Sequence, residues 1–404
     1  MMMTRTLHFV TWPKAPAALV IASMTVLGTG VLSVSGCGDS ASVDDLGIRT
    51  GSILNDARVI GETGIHPGQF VYPRAMDVFQ DEDRWFVAVI DKTARLQIID
   101  IERRESVGEV LMPVFDRGMP TGLTVGVSLL NQDRLAAYVA DTHEHQLLMY
   151  EFPLPKPGYG KEAELATQAA PDFVFGVYGE GPDEFVYPTD VIVLTEEGGA
   201  VSQLLISEYG GNDRISRYAV SHDRADDQPD EQVVLSWDGQ IGTPSETVDG
   251  SDGEIALSRP QSIGVWENDG QRELIVVDSS HHRIGRVAID GKRDGELIAW
   301  FEKDHDPTAP VMNFPYGVTV LEDGTALVTE FGGCIVRRMD LVTGMTLEIF
   351  GTAGRGEGEL ATPWASTVVD GDLVVLDSGN NRIQVVSGLG LLAVGQLSDA
   401  GSAP

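Results

Sequence analysis

Six times along this chain a proline opens an apolar strand, and 14–21 residues later an acidic residue stands in a tight turn before the next strand. The prolines are Pro73, Pro120, Pro188, Pro260, Pro315 and Pro363. The acids are Asp91, Asp141, Glu208, Asp278, Glu330 and Asp377. A unit this small cannot bury its own apolar face, so the copies must stack. Short β-branched strands bounded by Gly, Asp and Asn, four to a copy, predict radial sheets. The expected fold is therefore all-β, a six-bladed β-propeller.

The repeat occupies residues 56–396, with a short tail at 397–404. Blade 1 is read as strands at Ala75 to Phe79, Trp85 to Ile90 and Arg95 to Ile101, and blade 6 includes Leu373 to Leu376 and Arg382 to Val386. Closing the ring removes exposed strand edges. Either Arg58-Val59-Ile60 or Leu391 to Val394 can supply the outer strand of blade 6, and the sequence leaves both open. Two long insertions interrupt the period: Pro153 to Ala170, and the acidic stretch His222 to Gly253. Loops of this length are either functional or surface elaboration.

The first strand of each propeller blade lines the central channel. The residue after each repeat proline is thereby expected at the channel mouth: Arg74, Thr121, Thr189, Gln261, Tyr316 and Trp364. This set is diverse where the strand cores are repetitive, which marks it as the candidate ligand-binding surface. The repeat acids have a structural reading. Asp91, Glu208, Asp278 and Asp377 each face an arginine across the turn, at 95, 214, 283 and 382, and a charge-assisted hydrogen bond explains both partners. Asp141 faces His145 and Glu330 faces Ile335, so these two carboxylates are expected to lack a partner. Blades 2 and 5 oppose each other in a six-fold ring. Asp141 and Glu330, with His143 nearby, are thus candidates to bracket a cationic ligand or one divalent metal ion. His281 occupies a turn slot held by Asn380 in blade 6 and is read as structural.

The N-terminus has the pattern of a targeting segment. Arg5 and Lys14 precede an apolar run from Ala15 to Leu32, as in a secretory signal peptide over residues 1–36. Val34-Ser35-Gly36-Cys37 resembles the bacterial lipobox. That resemblance implies cleavage before Cys37, acylation of its sulfur, a tether over 37–55 and residence in the bacterial cell envelope. Gly38, in place of an aspartate, points to the outer membrane rather than inner-membrane retention. After lipidation Cys334 has no cysteine partner, and it is expected as a small buried group in the strand Cys334-Ile335-Val336. The chain carries 28 Lys and Arg against 61 Asp and Glu, a net charge of −33. Such a body repels nucleic acid and anionic lipid.

Gly351 to Leu360, Pro363 and then Leu373-Val374-Val375-Leu376-Asp377-Ser378-Gly379-Asn380-Asn381-Arg382-Ile383-Gln384-Val385 resemble the NHL repeat. Val276 to Ile284 repeats the pattern, and the resemblance extends over Arg58 to Val386. It implies a six-bladed propeller but no single reaction, because this ring serves many functions. In NHL-type peptidyl-amidoglycolate lyases, histidines after such prolines are expected to hold zinc, and none of the six positions here is histidine. The favoured expectation is an envelope-anchored, non-catalytic module binding a protein, peptide or glycan on its channel face. The alternative is a metal-dependent lactonase- or lyase-type enzyme in which Asp141, Glu330 and Asn212 contribute ligands.

Overall fold

Each repeat forms a four-stranded antiparallel sheet, and six such sheets stand around a common axis. The computed structural model describes residues 49–51, 57–113, 119–156, 168–196, 198–223, 232–248, 254–302 and 309–387. Within them the innermost strands are Pro73–Asp81, Gly122–Val127, Tyr187–Thr195, Pro260–Asn268, Pro315–Val320 and Ala365–Val369. In blades 1, 3, 4 and 5 the repeat proline pairs directly with the repeat acid, and the register slips at the next residue. That bulge lifts one side chain out of the ladder at the start of each of these inner strands, which is how bulges re-aim side chains.

The apolar faces pack between blades. Six buried clusters lie in the six gaps, one of them joining blade 6 to blade 1 through Ile60, Phe70, Val87, Val374 and Ile383. The ring is closed by Arg58–Ile60, which pairs antiparallel with Arg382–Val386 as the outer strand of blade 6. The alternative closing segment, Leu391 to Val394, lies outside the described residues. A further short strand, Arg49–Gly51, pairs parallel to Thr346–Phe350 at the outer edge of blade 5.

The acidic insertion is partly regular structure. Arg214–Asp223 and Gln232–Ile241 form the long outer hairpin of blade 3, so much of His222 to Gly253 is the fourth strand of that blade. Adjacent inner strands approach closely at two glycines. A Cβ on Gly122 would meet the Thr189 carbonyl oxygen at 2.3 Å, and one on Gly317 would meet that of Trp364 at 2.7 Å. Backbone cannot yield there, so both positions require glycine.

Candidate functional site: the channel mouth

In five of the blades the repeat acid is a two-way clamp. Its carboxylate accepts the backbone N–H two residues before the repeat proline: Val71 to Asp91, Val186 to Glu208, Ser258 to Asp278, Asn313 to Glu330 and Ala361 to Asp377, at 2.7–3.2 Å. The same group binds an arginine at 2.7–2.8 Å in Asp91–Arg95, Glu208–Arg214, Asp278–Arg283 and Asp377–Arg382. Glu330 is not unpartnered: Arg337, two residues beyond the expected position and on the same strand face, donates to it at 2.7 Å. His281 and Asn380 both donate to their blade's acid, at 2.7 and 2.9 Å, in equivalent turns.

Asp141 is the exception. Among the described residues it has no arginine, and its buried Oδ1 has no hydrogen-bond partner. Burial first, and the Glu144 charge second, push its carboxyl up to about 7. Neither Asp141 nor Glu330 lines the channel cavity. No group of three or more His, Cys, Asp or Glu among the described residues is placed to hold a metal ion. With Glu330 paired to Arg337, the bracketing arrangement expected of Asp141 and Glu330 draws no support from the described residues. Cys334 also departs from expectation. It is fully buried but sits in the turn before Ile335–Asp340 with φ 55°, and it is disulfide-bonded. Cys37, the one other cysteine in the sequence, lies outside the described residues.

The inner strands enclose a channel cavity of about 470 Å³, lined by Arg74, Thr121, Thr189, Gln261, Tyr316 and Trp364 at one end of the strands. The residues immediately before the prolines add to this mouth. Tyr72, Arg259, Phe314 and Thr362 all have φ between 43° and 58°, a left-handed geometry that costs roughly 1–2 kcal/mol per residue. Side chains of the preceding blade hold three of them. Tyr72 N donates to Asn381 Oδ1 at 2.6 Å, Phe314 N to His282 Nδ1 at 2.9 Å, and Arg259 N to Asp213 Oδ1.

These backbone devices produce a closed collar of side chains. Arg74 lies 5.4 Å from the Trp364 ring, and Trp364 meets Tyr316 edge-on at 5.1 Å. Arg259 spans the Tyr316 ring at 5.4 Å and the Tyr209 ring at 4.9 Å. Tyr209 packs on Tyr187 at 5.2 Å, and Tyr187 faces His143 at 5.8 Å. His143 Nδ1 and Arg74 Nη1 both reach the Met119 carbonyl oxygen, at 3.4 and 3.5 Å, which returns the circuit to blade 1. Burial lowers the His143 imidazole and the Arg74 guanidinium from their ordinary values, and it raises the Tyr316 phenol against the pull of Arg259 and Arg74.

Deeper in the channel stand two carboxylates that the sequence reading missed. Asp77 accepts from Val125 N at 2.7 Å, and Asp190 accepts from Ser262 Oγ at 2.8 Å and Ile263 N at 3.1 Å. They stitch blade 1 to blade 2 and blade 3 to blade 4. Burial raises Asp77 to about 6 and Asp190 to about 7. An acid amid the apolar residues of an inner strand was the available signal. For Arg259 and Tyr209, also missed, the signal was a large side chain flanking the repeat proline or acid.

No family model matches the chain, and no curated protein sequence matches it. Among solved structures, a streptogramin B lyase aligns with a TM-score of 0.46 at 16% identity, covering 86% of this chain and 90% of that one. Virginiamycin B lyase from Staphylococcus aureus aligns at 0.44 and 16%, covering 84% and 87%. A luciferin-regenerating enzyme aligns at 0.49 and 12%, covering 83% and 97%. These likenesses carry no argument about chemistry, and the six-bladed architecture rests on the strand pairing itself.

Proposed function

We propose that the protein is a ligand-binding propeller of the bacterial cell envelope that captures its partner at the channel mouth, without catalysis. The observation that carries this reading is the state of two arginines. Among the described residues, every buried or half-buried arginine is in an ion pair except Arg74 and Arg259. Both sit in the collar, in a chain with a net charge of −33 that supplies carboxylates to the others. Leaving two cations against aromatic rings, without carboxylate partners, forgoes charge pairing that the rest of the fold uses throughout. A ligand that completes them is the economical reason. The NHL-like repeat supports the ring that displays this collar. A metal-dependent lactonase or lyase draws no support from Asp141 or Glu330, since neither lines the channel cavity and Glu330 is paired to Arg337.

Hydrogen exchange of the purified full chain, with and without envelope extract, tests the reading. Expected is slowed exchange in the segments around the repeat prolines, at 71–74, 186–189, 258–261 and 313–316. Protection confined to the outer strands would overturn it. The same sample reports the tether by its intact mass.

A further inference from the structure

Resting on that reading, we propose that the collar's ligand is a small, singly charged carboxylate bearing a flat ring. The unmet polar groups at the mouth are donors. Trp364 is only 9% exposed, lines the channel, and its indole N–H has no partner; the buried Arg74 Nε has none either. The Gln261 side-chain oxygen beside Arg259 already accepts from Arg259 Nε at 3.2 Å. A ligand entering here must therefore bring acceptors.

Its charge and shape follow from the surroundings. Guanidinium forks match the planar, two-oxygen geometry of a carboxylate. A body of net charge −33 penalises a dianion such as phosphate more than a monoanion, because long-range repulsion scales with ligand charge. Arg259 lies over the Tyr316 ring, and Arg74 lies over the Trp364 ring that meets Tyr316 edge-on. A ring attached to the carboxylate then lies among Tyr209, Tyr316 and Trp364, where aromatic pairs gain about 0.5–1.5 kcal/mol beyond their buried area. Of this collar, Arg74, Tyr316 and Trp364 also line the channel cavity of about 470 Å³, a volume in the ordinary range for small-molecule sites.

Isothermal titration of the full chain with phenylacetate, phenylacetamide, acetate and inorganic phosphate tests the proposal. Phenylacetate is expected to bind at least about tenfold more tightly than each of the other three. The double variant Arg74→Gln/Arg259→Gln should lose that preference; neither arginine is in an ion pair, so no buried acid is orphaned by it. The double variant Arg104→Gln/Arg355→Gln, the same charge change at two exposed arginines that are in no ion pair among the described residues and lie outside the collar, should leave binding unchanged. Phenylacetamide binding as tightly as phenylacetate, phosphate binding more tightly, full binding by the Arg74→Gln/Arg259→Gln variant, or no phenylacetate binding would each overturn the carboxylate assignment. Protection of the mouth by envelope extract would survive those outcomes, so the broader reading fails only if that protection is absent.

Discussion

At the scale of single residues, Asp141 shows what the repeat costs when one partner is missing. The other acids are held by an arginine; this one has an unsatisfied oxygen and a carboxyl raised to about 7. Its unfolded value lies near 3.9, so between those limits the folded state binds more protons than the unfolded state. The stability linked to this group is complete below about pH 4 and is lost as pH rises through about 7. A gap of that size corresponds to at most about 4 kcal/mol. Asp141→Asn removes the titration, so the variant should match the parent near pH 4 and exceed it in melting temperature at pH 8. Parallel stability curves across that range would show that the Asp141 charge is not being suppressed. The residue scale is also where the sequence was least informative. Arg74, Tyr316 and Trp364 were legible because they occupy one aligned slot after the proline. Arg259 and Tyr209 were not, since the slots beside them hold unrelated side chains in other blades, and only the left-handed turn at Arg259 swings it over two rings.

At the scale of the blade, the hairpin clamp was readable in four repeats and misread in a fifth. The expected arginine of blade 5 is displaced from the position opposite Glu330 to Arg337, and a β-strand's two-residue alternation returns it to the same face. A spacing rule that allows i+2 would have found it. The ion pair is buried, with both side chains at most 3% exposed. Breaking such a pair leaves an uncompensated charge and costs about 3–5 kcal/mol, whereas replacing both partners by apolar groups is often neutral. Arg337→Met should therefore destabilise the chain by that amount in denaturant unfolding, and the double variant Arg337→Met/Glu330→Leu should recover most of it. A single variant as stable as the parent would show that the clamp is ornamental. Because Glu330 also accepts from Asn313 N, the double variant should fall slightly short of full recovery.

At the scale of the whole molecule, the fold was legible because six copies repeat one physical constraint, the need of each sheet to bury both faces against neighbours. The closing strand was not, because two segments satisfied that constraint equally on paper; pairing of Arg58–Ile60 with Arg382–Val386 settles the outer edge of blade 6. What the ring adds to its parts is convergence. Groups 290 and 309 residues apart in sequence, the Tyr72 and Thr362 hydroxyls and the Tyr72 backbone N–H with Asn381 Oδ1, come within hydrogen-bond distance at the mouth. The most direct test of that convergence is photo-cross-linking in the native envelope. A benzophenone side chain would replace Tyr209 in the collar or, separately, Val342 on the outer rim, where the residue is 64% exposed. An adduct from position 209 and none from 342 is the expected result. An adduct from 342 alone would place recognition on the outer wall and contradict a binding site at the channel mouth.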